Sequence, residues 1–117
     1  MSAKKKIQIK RLKGRTAIDL LFKNGAVKKE PFIILKYLVE EETSFYYSGV
    51  AVPKRKIKKA VNRNKIKRLM REAVKNIDQE SLFSGSGLLL YTGEKTPELG
   101  ALTLAIHKLF KEVNSNP

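Results

Sequence analysis

The residues from Pro53 to Arg71, PKRKIKKAVNRNKIKRLMR, concentrate the chemistry available to this chain: ten of the nineteen are Lys or Arg and none is acidic. Side chains of this kind bind oxyanions, lysine as a point charge and arginine through a planar fork that matches phosphate. Within the same run Ile66, Leu69 and Met70 recur at helical spacing. A disordered basic tail would lack that apolar stripe, so the charge is mounted on a folded element. The expected partner is a polyanion.

Drawn as a helical wheel, Ile66, Leu69, Met70, Ala73 and Ile77 gather on one side, to be buried against a sheet. Asn64, Lys67, Arg68, Arg71 and Lys75 gather on the other, with Arg63 at the boundary. The plain alternative is a solvated charged face, but such a face alternates signs so that acids pair with Lys and Arg. Glu72 is the only acid between Lys54 and Ile77, which favours phosphate binding. Backbone amides near the helix start, at Ala60–Arg63, add partial positive charge beside Lys58 and Lys59. The RNA-binding set read from this region is Lys54, Arg55, Lys58, Lys59, Arg63, Asn64, Lys65, Lys67, Arg68 and Arg71.

The elements that must hold this face follow from pattern. Met1–Arg15 carries seven basic residues, no acid and little apolar periodicity, and reads as a flexible basic arm, leaving residues 16–117 as a single domain. Thr16 reads as an N-cap with Asp19 in the first turn, and a short helix runs to Asn24 before the stop at Gly25. Phe32–Glu40 and Phe45–Val52 read as antiparallel strands joined by a hairpin at Glu41–Ser44, with Val27–Lys29 as an irregular or short strand lead-in. Lys54–Lys59 is a basic loop, and the basic helix spans about Ala60 to Ile77. Asp78–Gly87, containing Ser84-Gly85-Ser86-Gly87, reads as a turn-rich connection to a short strand at Leu88–Thr92. Thr96-Pro97-Glu98 opens a last helix striped by Leu99, Leu102, Ile106, Leu109, Phe110 and Val113. The order α-β-β-α-β-α predicts an α+β two-layer α-β sandwich.

Composition bounds the alternatives. A chain of 117 residues buries roughly 65% of its unfolded surface, and a 42% apolar fraction supports a core beside 31% charged residues. The net charge of +14 draws in phosphate backbones and makes the compact state repel itself. The absence of cysteine excludes disulfides, thiolate metal sites and cysteine nucleophiles. No apolar run is long enough to span a bilayer or to serve as a secretory signal, so no membrane partner is expected, and an intracellular, cytoplasmic protein is the default.

Here the sequence becomes specific. Gly49 to Lys75, GVAVPKRKIKKAVNRNKIKRLMREAVK, resembles the signature region of the bacterial ribonuclease P protein subunit: a Gly-hydrophobic strand, a Lys-Lys loop, then Ala-Val-x-Arg-Asn-Arg-x-Lys-Arg-x-x-Arg on a helix. Ala60, Val61, Arg63, Asn64, Lys67, Arg68 and Arg71 match that pattern, whereas Lys65 replaces the second arginine of Arg-Asn-Arg and keeps the charge without the fork. Pro53 stands where a small hydroxyl residue is common, and the loop at Lys54–Lys59 is longer than usual. Phe22-Lys23-Asn24-Gly25 before the first strand, and the later strand and last helix, extend the likeness over nearly the whole chain.

The resemblance implies a protein cofactor of a ribozyme. Its partners would be the ribonuclease P catalytic RNA, which hydrolyses precursor tRNA to release the 5′ leader, and the precursor tRNA itself. The RNA subunit would require Mg2+; no cofactor of the protein's own and no obligate protein partner are implied. The family fold places the basic helix in a left-handed β-α-β crossover, against the right-handed rule for parallel crossovers. Its leader cleft lies between the first helix and the exposed sheet face, which maps to Ile18, Phe22, Ile33, Leu35 and Tyr37. The other reading of these five is a place in the core. The family often has aromatics where Ile18 and Leu35 stand, so base stacking there is weakened.

Other functions fit less well. His107 is the only histidine and stands beside Lys108; Glu40, Glu41 and Glu42 are consecutive and belong at a hairpin tip. No spacing supports general acid–base or two-metal chemistry, so the polypeptide is not expected to be catalytic itself. A ribosomal or other structural RNA-binding protein would share the charge but not the Arg-Asn-Lys helix after a Gly-Val-Ala-Val strand. No helix-turn-helix or zinc pattern supports DNA binding.

Overall fold

In the computed structural model, which describes residues 6–115, the elements in chain order are β1 (Gln8–Arg11), α1 (Arg15–Asn24), β2 (Ala26–Glu30), β3 (Ile33–Val39), β4 (Phe45–Ala51), α2 (Ala60–Lys75), β5 (Gly85–Tyr91) and α3 (Leu99–Ser115), with a 3-10 turn at Gln79–Ser81 before β5. The strands form one five-stranded sheet in the order β1-β4-β5-β3-β2. β3 pairs antiparallel with β2 and β5, while β4 runs parallel to both β5 and β1. Parallel neighbours require a crossover, and α2 supplies it between β4 and β5. The α+β class expected from the sequence holds.

Period-two alternation decides the two faces of the sheet. On β3, Ile33, Leu35 and Tyr37 are buried while Ile34, Lys36 and Leu38 are half-buried. The buried set joins one cluster with Ile66, Met70 and Ala73 of α2 and Leu102, Ile106, Leu109 and Phe110 of α3. Burying an aliphatic chain such as Ile66 contributes about 1.5–3 kcal/mol. Rings knit the same layer: Tyr46 meets Phe83 and Phe110 edge-on, at centroid separations of 5.0 and 5.2 Å. α1 crosses the opposite face, where Leu21 is fully buried outside that cluster. That face is otherwise left open, with Ile34, Lys36 and Leu38 only half covered.

Several expectations need correction. The basic arm expected over residues 1–15 is in part an edge strand: Gln8–Arg11 pairs in register with Phe45–Ser48, and residues 1–5 lie outside those described. Ile7, buried beside β1, anchors the strand, and its backbone exchanges hydrogen bonds of 3.0 and 2.8 Å with the Gln79 side chain. Gly14 rather than Thr16 occupies the N-cap of α1, without a side-chain cap, and Asp19 lies beyond its first turn. The lead-in at Val27–Lys29 is a full strand.

The hairpin expected between β3 and β4 does not form, because β5 lies between them. Six of the seven β5 residues are buried, which places it in the sheet centre rather than at an edge. Its glycines misled the turn reading of Ser84–Gly87. They mark close approach rather than a turn: a Cβ on Gly87 would stand 2.5 Å from the Tyr46 hydroxyl oxygen.

Candidate nucleic-acid interface

α2 presents the face its sequence promised. Asn64, Lys65, Arg68 and Arg71 are exposed and Lys67 is half-buried, opposite the buried Ile66, Met70, Ala73 and Val74. Leu69, expected in the core, is only half-buried and packs against its margin. The preceding loop is one tight turn, with the amides of Lys56 and Ile57 both donating to the Pro53 carbonyl. Ile57 is buried and pins the loop, leaving Lys54, Arg55, Lys58 and Lys59 exposed around it. Lys59 is the N-cap of α2 and offers no side-chain cap, so first-turn amides face outward beside the lysines. A cavity of about 410 Å³ opens there between the loop and Lys95.

Arg63 does something the sequence did not reveal. Its Nη1 donates to the carbonyls of Ile57 and Lys58 at 2.9 and 2.8 Å, tying the basic loop to α2. That engages one edge of the guanidinium, leaving Nε and Nη2 for a phosphate.

The open face of the sheet carries the second surface. α1, β1 and β4 enclose a groove of about 630 Å³ lined by Lys10, Arg11, Leu12, Lys13, Ala17, Leu20, Leu38, Glu40, Tyr47 and Ser86. Phe45 lies 5.9 Å from Tyr47, centroid to centroid, and the Lys10 ammonium sits 4.3 Å over the Phe45 ring. On the other side of α1 the half-exposed Phe22 lies beneath Lys36. Ile18 is half-buried and lines a smaller cavity with Arg71 and Gly49.

Ile33, Leu35 and Tyr37, expected in this cleft, are on the wrong face. They belong to the core beneath α2 and α3, and Tyr37 packs edge-on against Phe83 at 5.7 Å. A one-residue shift in a strand exchanges every side chain between faces. The signal was Lys36: a charged residue in an otherwise apolar strand must point away from the core, carrying Ile34 and Leu38 with it. A basic arm at residues 1–15 leaves Lys10, Arg11 and Tyr47 out of any site; their pairing as part of a strand beside β4 brings them together.

Among the described residues, no group of three or more His, Cys, Asp or Glu side chains comes together, and no helix is long and apolar enough to cross a membrane. His107 is half-buried, with its Nε2 3.0 Å from the Ser81 hydroxyl.

A small α+β domain with an uncapped basic helix on one side and an open, cation-rimmed sheet face on the other has the make-up of a nucleic-acid-binding module. The chain belongs to the ribonuclease P protein family, whose family model, Ribonuclease P, matches residues 8–114. Members of that family are partners of the ribonuclease P RNA and subunits of the endoribonuclease that processes tRNA 5′ ends. No curated protein sequence matches. Among solved structures, the chain is similar to the Staphylococcus aureus RNase P protein, with 20% identity, 88% of this chain and 94% of that chain covered, and a TM-score of 0.75. It is also similar to the Thermotoga maritima RNase P protein, with 19% identity, coverage of 88% and 96%, and a TM-score of 0.75.

Proposed function

We propose that this chain grips the ribonuclease P RNA with α2 and the Lys54–Lys59 loop, and holds the 5′ leader of precursor tRNA against the open face of its sheet. The observation that carries the leader reading is the groove beside α1. Its floor offers Tyr47 and Leu38 to bases, and its rim offers Lys10 and Lys13 to the backbone. Single-stranded nucleic acid is held by that combination of stacking surface and cationic track. Mg2+ belongs to the RNA subunit in this reading, and the protein contributes binding and orientation. A cytoplasmic location, where precursor tRNA is met, goes with it.

The test is reconstitution with a bacterial ribonuclease P RNA, followed by titration with precursor and mature tRNA. The expected result is protein-dependent cleavage at low magnesium and a preference for the leader-bearing substrate. Equal affinity for both substrates would refute the leader assignment.

A further inference from the structure

Arg11 is the one residue common to three neighbouring cavities. It lines the groove beside α1, a cavity of about 180 Å³ between β1 and α2, and a third of about 120 Å³ just past the end of β1. Arg71 of α2 and Ser48 of β4 line both smaller cavities with it. The sheet register produces this meeting: β1 pairs parallel with β4 so that Arg11 stands opposite Ser48. The Leu12 amide also donates to the Ser48 carbonyl at 2.9 Å, fixing the strand end. No acidic side chain lines either small cavity.

Two guanidinium groups brought together without an acid repel each other. The Arg71 guanidinium is held below its ordinary pKa, first by burial and then by the positive charge of Arg11. Arginine cannot shed its proton at neutral pH, so the repulsion is relieved by an anion rather than by titration. Both forks and a hydroxyl bordering the same small space form the donor set that a phosphate oxygen cluster accepts.

We propose that Arg11 and Arg71, with the Ser48 hydroxyl beside them, clamp one phosphodiester group where the groove beside α1 meets the basic face of α2. The proposal rests on the RNA-binding function above and adds a site that joins its two surfaces. The phosphate comes either from the ribozyme RNA or from the substrate strand leaving the groove.

The test uses the full chain and its Arg11→Gln, Arg71→Gln and doubly substituted variants. In the free protein, sulfate at matched ionic strength should raise the wild-type melting temperature more than chloride does, because an anion bound only by the native state stabilises by mass action. Each single variant should lose part of that difference, and the double should lose less than the sum of the two singles, since the two arginines share one anion. With RNA, the log–log salt slope should fall by about 0.7–0.9 for the lost contact. A fall with the ribozyme RNA alone assigns the phosphate to that RNA. A fall only for leader-bearing precursor tRNA on the assembled holoenzyme assigns it to the substrate.

A wild-type sulfate response in either folded single variant overturns the clamp. If Arg11→Gln fails to fold, Arg71→Gln on the neighbouring helix carries the same test. A lost sulfate response with wild-type slopes in both RNA arms identifies an adventitious anion site only and overturns the assignment to RNA. Failure of the wild-type chain to bind ribozyme RNA would count against the proposed function, and the sulfate comparison would still decide the clamp.

Discussion

The Lys36 ammonium stands 4.3 Å over the centre of the Phe22 ring, joining β3 to α1 across the open face of the sheet. Phe22 is 50% exposed, far more than a core phenylalanine tolerates, and its neighbour is a cation rather than an aliphatic chain. A ring held this way offers an accessible edge to a nucleic-acid base while the cation meets the backbone beside it.

Phe22→Ala should therefore weaken holoenzyme binding of precursor tRNA while leaving mature tRNA nearly unaffected. One stacking contact is worth about 1–3 kcal/mol, a loss of about 5- to 150-fold. Paired titrations with the two substrates measure it, and equal losses for both would remove Phe22 from the leader site.

Strand parity can be tested on β3 directly. Leu35→Ala opens a cavity under α2 and α3 and should cost about 2–5 kcal/mol of folding stability. Leu38→Ala, on the groove face, should cost less stability but weaken leader-dependent affinity. Denaturant titration combined with precursor binding distinguishes them, and a reversed pattern would reverse the assignment of faces.

Arg63 and Arg68 should behave differently although both belong to the basic helix. Arg63→Ala removes two hydrogen bonds from a charged donor to the loop carbonyls, at about 1.5–3 kcal/mol for such a bond. It should lower the melting temperature before any RNA is added. Arg68→Ala should leave the melt unchanged and reduce the salt slope of RNA binding by about 0.7–0.9. Identical melts for the two variants would show that the Arg63 contacts do not hold the loop in solution.

Alkaline stability should depend on Tyr46. Its hydroxyl is the one buried side-chain oxygen among the described residues without a hydrogen-bond partner. Burial pushes its pKa well above the ordinary 10.0, and the nearby Ser48 side chain offsets only part of that shift without completing a hydrogen bond. The unfolded chain then loses this proton first as pH rises. The contribution is fully present below pH 10.0 and falls above it, by up to about 1.4 kcal/mol per pH unit. Tyr46→Phe should flatten the decline above pH 10 and cost little at pH 7, because the hydroxyl makes no bond to lose. Equal decline in both proteins, followed by circular dichroism, would contradict the burial of an un-ionised phenol.

The basic helix was legible in the sequence because its information is local. Charge density, the absence of acids and the stripe of Ile66, Met70 and Ala73 all lie within a few turns, where helical periodicity alone separates the two faces. The family resemblance was carried by the same stretch. What pattern did not decide was which strands lie side by side. Phe32–Glu40 and Phe45–Val52 are neighbours in sequence, yet β5 separates them in the sheet, where its small Gly and Ser residues and its Leu run are buried on both faces. Gly85 and Gly87 read as a turn until the Leu38 backbone is placed against the first and the Tyr46 ring against the second. The face on which Leu35 or Lys36 lies is a choice of parity, settled by the layer of α2 and α3 packed against one side. Arg11 and Arg71 are sixty residues apart in sequence, and neither predicts the other. Local periodicity determined the charged helix; long-range strand pairing, which no short window of sequence encodes, decided what that helix stands beside.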